Sequence, residues 1–157
     1  FHTGDAGYLK DSHLYLTERI KDLFKTSNGK YISPQALETK LAIDRYIDQI
    51  AVIADERKFV SALIVPVYGF VKDYAKEKGI AYSNMDELLQ HPKIQALFRA
   101  RIDTLQQQFA HYEQVKRFTL LTEPFSMERG ELTNTLKLKR SVVAKNYKGL
   151  IDKMYEE

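Results

Sequence analysis

The sequence predicts an α+β domain: a small, mostly antiparallel sheet with helices packed on it, preceded by a β-hairpin. Three observations carry that prediction. Two Ile/Val/Phe/Tyr-rich runs, 46–54 and 59–67, flank the polar tetrapeptide Asp55-Glu56-Arg57-Lys58 as paired strands flank a turn. Apolar residues recur at helical spacing through Ile94, Leu97, Phe98, Ile102, Leu105 and Phe109. Strand and helix patterns then follow one another without a repeat.

In chain order, residues 4–20 read as a hairpin, with Tyr8-Leu9 and Leu14-Tyr15-Leu16 as short strands around Lys10-Asp11-Ser12-His13. A turn-poor basic segment (20–25) and a polar Gly loop, Thr26-Ser27-Asn28-Gly29-Lys30, come next. Residues 34–43 are expected to be helical, with Ser33 as N-cap and Pro34 at the first helical position. Pro66 argues that the second long strand ends at or near a sheet edge. Residues 70–78 form a helix stopped by Gly79, and Asn84 with Glu87 makes a capping box. His91-Pro92 opens the long helix, whose stripe is core, and Gln106-Gln107-Gln108 falls on its polar side. A third strand covers 115–121, a loop 123–130, and helices 139–145 and 147–154 close the chain.

The chain has 157 residues, 44% hydrophobic and 29% charged, enough for a real core. No run approaches the length of a bilayer span. The absence of cysteine excludes disulfides and thiolate metal sites, and fits the cytoplasm. A net charge of +3 does not by itself argue for nucleic acid. His2, His13, His91 and His111 are scattered, without metal-motif spacing, and read as surface or cap residues.

The stretch 15–38 is the centre of the functional reading. A strand, a Gly loop and a helix start set this close can present amides and cations to an anion, although such units are often plain connections. Asp5 is a turn aspartate or an acceptor for a vicinal diol. Arg19 is a surface cation or a donor fork for ribose or phosphate oxygens. Lys21 reads equally as a solvated strand lysine. Gly29 is a turn glycine needing positive φ, or a place where a ligand passes close to the backbone. Lys25 and Glu38, on either side of the loop, are secondary candidates.

The resemblance to a known family is more specific. Phe1 to Asp5, FHTGD, resembles a nucleotide motif of the adenylate-forming enzymes. Arg19 to Glu38 resembles their hinge and the loop after it, and Glu131 to Arg140, ELTNTLKLKR, the motif with their mobile lysine. Within that superfamily the chain is most similar to AMP-forming long-chain fatty acid–CoA ligases, and the three motifs, in the family's order, are spread over nearly its whole length. The resemblance implies that residues 1–20 are a nucleotide-motif hairpin leading to the hinge, and 21–157 a mobile C-terminal lid domain. It implies Asp5 and Arg19 on the ribose of ATP or AMP, Lys21 as hinge, Gly29 along the path of CoA, and Lys137 as catalytic lysine. Lys139 and Arg140 are secondary. The subgroup usually has proline where this chain has Asn134, which predicts a less rigid loop.

The implied reaction joins a fatty acid to CoA through an acyl-adenylate. The phosphate loop, the acyl pocket and the group holding Mg²⁺ belong to a large N-terminal domain outside this chain. The chain, which begins inside a motif, therefore reads as a piece of a longer protein, inactive by itself. Its expected partners are that domain, ATP or AMP, fatty acid and CoA, with peripheral contact at the inner membrane face compatible with a cytoplasmic place. A relative activating another acid is the near alternative. A binding module for RNA or an anionic membrane, using Lys137, Lys139, Arg140, Lys145, Lys148 and Lys153, is the distant one.

Overall fold

The computed structural model describes residues 5–19 and 23–156, with side chains described from Leu9 to Leu14 and from Leu23 onward. Strands β1 (Asp5–Lys10) and β2 (His13–Arg19) form the expected antiparallel hairpin. Its two-residue turn, Asp11-Ser12, has positive φ at both positions, the twist that suits a tight hairpin. Asp5 and Arg19 are register partners at its open end.

The main sheet has three strands in the order β5-β6-β7. Strands β5 (Ile47–Ile53) and β6 (Val60–Pro66) are antiparallel; β6 and β7 (Val115–Leu120) are parallel. Every residue of β6 is buried, so its apolar run is continuous rather than alternating. Val60, Ala62 and Ile64 face one core; Leu63 and Val65 face a second. The first core is closed by helices α1 (Pro34–Leu41), α2 (Tyr68–Glu77), α3 (Met85–Gln90) and α4 (Pro92–Leu105). The second is closed by α5 (Arg140–Asn146) and α6 (Lys148–Tyr155). The result is a three-layer α+β domain.

Two expectations are corrected. Pro66 does not mark an edge, because β6 is the middle strand. The proline is tolerated as its last residue, where the ladder with Ile47 ends. Gln106 is not on the polar side either. It lies just past the end of α4, is buried, accepts from the Val115 amide (2.7 Å) and donates to the Val115 carbonyl (3.1 Å). The long helix thereby pins the start of β7.

The local signals read from the sequence are present. Ser33 Oγ accepts from Ala36 N–H, and Asn84 Oδ1 accepts from Glu87 N–H. Gly79 has φ +66°, and the Ile80 amide closes the turn onto Ala75. His91 Nδ1 accepts from the Lys93 amide, a cap as expected.

Candidate functional site

The segment 131–140 is a small hairpin with a five-residue turn. The Lys139 amide donates to Glu131 O (2.8 Å), and Leu132 bridges Leu138. Within the turn, Thr133 N–H donates to Lys137 O (2.8 Å) and Leu136 N–H to Thr133 O (2.9 Å). The Lys137 amide donates to the Thr133 hydroxyl (3.0 Å). Leu136 has φ +61°. Thr133, rather than the exposed Asn134, supplies the side-chain bond that closes this turn.

Lys137 is exposed, and among the described residues its ammonium makes no ion pair. It lines an open cleft of about 550 Å³ between the hairpin, α1 and β5, together with Gln35, Glu38, Thr39, Leu136 and Arg140. Lys139 does not line that cleft; its backbone closes the hairpin and its side chain is exposed.

Two carboxylate–guanidinium pairs hold the hairpin at its ends. Arg140 meets Glu38 with both terminal nitrogens, one of them at 2.7 Å from Oε2. Glu38 Oε1 also accepts from the Val52 amide (2.9 Å), and the Arg140 guanidinium lies 5.4 Å from the centre of the Phe24 ring. Glu38 and Arg140 are thus engaged with each other, joining α1, β5 and the hairpin.

At the other end Glu131 is fully buried. Its carboxylate accepts from Arg129 Nε (2.8 Å), Ser126 N–H (3.1 Å) and Asn146 Nδ2 (3.3 Å). Burial alone pushes the Glu131 carboxyl up, but the bonds from Arg129, Ser126 and Asn146 together hold it below the usual carboxylate range. Arg129 also donates to Pro124 O (2.6 Å). Sequence reasoning passed over Arg129 and Glu131 as partners. Two charged residues beside Gly130 carry no periodic signal that Glu131 is buried.

The loop at 26–30 repeats the same turn. Thr26 N–H donates to Lys30 O (2.9 Å), Gly29 N–H to Thr26 O (2.9 Å), and Lys30 N–H to the Thr26 hydroxyl (3.2 Å). Gly29 has φ +78°, so the turn's need for a glycine is met, and a Cβ there would meet nothing within 4 Å. The Lys25 ammonium lies 5.9 Å from the centre of the Tyr31 ring, and the Lys30 ammonium 5.4 Å from that of Tyr112. This loop joins strands β3 (Phe24–Lys25) and β4 (Tyr31–Ile32). Asp5 and Arg19 are opposed in backbone register, with their side chains outside the description. Lys21 and the Phe1–Gly4 part of the first motif lie outside the described residues. No described helix is long and apolar enough to cross a membrane.

Comparison with known proteins agrees with this architecture. The chain is 34% identical over 160 residues to the peroxisomal long chain acyl-CoA synthetase 7 of Arabidopsis thaliana, covering 99% of this chain and 23% of that protein. It is 31% identical over 159 residues to the long-chain-fatty-acid–CoA ligase FadD15 of Mycobacterium tuberculosis, covering 100% of this chain and 26% of that one. The chain therefore spans about a quarter of the length of these relatives. In fold it matches the adenylation domain of the carboxylate reductase from Mycobacterium chelonae, with a TM-score of 0.78 at 24% identity over 100% of this chain and 23% of that one. The family model of the AMP-binding enzyme C-terminal domain matches residues 21–157, and the chain belongs to that family.

Proposed function

We propose that residues 21–157 are the mobile lid of an AMP-forming long-chain fatty acid–CoA ligase, and that Lys137 is its catalytic lysine. The observation that carries this reading is an exposed lysine without an ion-pair partner among the described residues. It sits on a hairpin pinned at both ends and faces an open cleft. A carboxylate and an α-phosphate repel as they approach, and negative charge grows on the phosphoryl oxygens. An ammonium with three donors, brought in when the lid closes, bridges both anions and gains as that charge develops.

The remaining roles follow the motif positions. Asp5 accepts from the ribose hydroxyls and Arg19 donates to the same region. Lys21 absorbs the backbone rotation between half-reactions, and Gly29 leaves room for the pantetheine of CoA. Glu38 and Arg140 hold the loop rather than the substrate. Among the described residues no three His, Asp or Glu side chains converge as ligands to a metal ion. The Mg²⁺ that accompanies ATP is assigned to the larger domain. The same reading proposes a cytoplasmic place with peripheral contact at the inner membrane face.

The test is made in the full-length ligase. Lys137→Ala should lower acyl-adenylate formation, read as pyrophosphate exchange, by about 10²–10³-fold. Thioester formation from supplied acyl-adenylate should be largely spared. Full pyrophosphate exchange in the variant, or damage from Lys139→Ala instead, overturns the assignment. Residues 1–157 alone should make no acyl-CoA from ATP, CoA and fatty acid.

A further inference from the structure

Leu136 is out of place by the rules that built its own turn. It holds φ +61°, a left-handed conformation that is unfavourable for an L-residue with a Cβ. Its side chain is 66% exposed, so no core burial offsets that cost. The turn does not require it either. The 26–30 turn has the same three closing hydrogen bonds with Gly29 at the equivalent position. A glycine would serve the hairpin better, so the leucine side chain is to be explained by something outside the chain's own packing.

The place of the side chain says what that is. Leu136 and Lys137 line the same cleft. A cation next to a protruding branched hydrocarbon matches an amphiphile with an anionic head and an apolar tail. We propose that Leu136 is a substrate-positioning residue: it packs on the first methylenes of the fatty acid whose carboxylate Lys137 receives. This rests on the reading of Lys137 above. The contact forms only when the lid closes, so it adds apolar burial to the state in which adenylation occurs.

Adenylation kinetics of the full-length ligase, with dodecanoate and ATP as varied substrates, test this. Partial burial of a leucine side chain amounts to about tenfold in binding. Leu136→Gly and Leu136→Asn, both compatible with positive φ, should each raise the KM for dodecanoate about tenfold. The KM for ATP should stay within about twofold, and Leu136→Met should recover most of the loss. Leu136→Gly should not lower the unfolding midpoint. An unchanged KM for dodecanoate overturns the proposal. So does an equal rise for dodecanoate and ATP, which would mean that Leu136 packs against the rest of the enzyme. Lys137→Ala is run alongside. If it is crippled while Leu136→Gly is unaffected, only the Leu136 contact falls; if Lys137→Ala keeps full exchange, the functional reading falls and this contact with it.

Discussion

The turns at 26–30 and 133–137 share a hydrogen-bond frame and differ in what surrounds it. Each begins with a threonine whose amide and hydroxyl close onto a lysine four residues later, and each has positive φ one residue before that lysine. The first is anchored: Thr26 is buried, Gly29 relieves the backbone, and Lys30 lies against Tyr112. The second is propped open. Its lysine faces a cleft, its left-handed residue is a leucine, and its stability comes from charged pairs at the base. One turn geometry thus rests its lysine on a ring in the first case and leaves its lysine facing a cleft in the second.

Removing the base of the second turn should have the largest effect on stability. Glu131→Ala strips a buried carboxylate from Arg129, Ser126 and Asn146. It should cost about 2–4 kcal/mol, below the worst cases because Arg129 can rehydrate. Urea unfolding reads this, and a loss under 1 kcal/mol would show that the network does not hold the hairpin.

Next come the threonines. Thr26→Val leaves the Lys30 amide short of a partner beside a buried site and should cost about 1–2 kcal/mol. Thr133→Val, at a more open turn, should cost about 1 kcal/mol or less, because water can replace the hydroxyl. Equal costs would erase the distinction between anchored and open.

The left-handed position gives an effect comparable to that of Thr133→Val. Gly29→Ala should cost about 1 kcal/mol, all of it from φ, since the added Cβ meets nothing within 4 Å. No loss on calorimetry would mean that the frame tolerates a side chain freely, and Leu136 would then need no special explanation.

The smallest effect is in pH. The Glu131 carboxyl is held below its ordinary range in the folded chain. Its contribution is full above the unfolded value of about 4.3 and is lost as pH falls through the lower folded value. Glu131→Gln should therefore flatten the acid limb of the stability profile below about pH 4. An unchanged limb would show that other carboxylates dominate it.

Much of the fold was legible because it rests on local periodicity and capping chemistry. The β5–β6 hairpin, the Ser33 and Asn84 caps and the Gly79 stop each depend on a few neighbouring residues. What was misread depends on distant partners. Pro66 could be placed in a middle strand only once β7 was known to pair beside β6. Gln106 could be placed inside only once the Val115 backbone was known to need it. The site divides the same way. The motif register singles out Lys137 as a candidate, and the structure sets it on an open cleft, whereas the pairing of Glu38 with Arg140 joins residues far apart in the chain and leaves no trace in spacing.

The parallel pairing of β6 with β7 has a consequence for how the chain acquires this shape. Residues 67–114, with three α-helices, must be gathered before β7 can reach its neighbour. The β5–β6 ribbon, joined by a short connection, can form in microseconds, whereas the parallel seam waits on the closure of that long excursion. The second core includes both Leu132, at the root of the lysine hairpin, and Leu121, just past the end of β7. The segment that presents Lys137 should accordingly be among the last to acquire its native order during refolding.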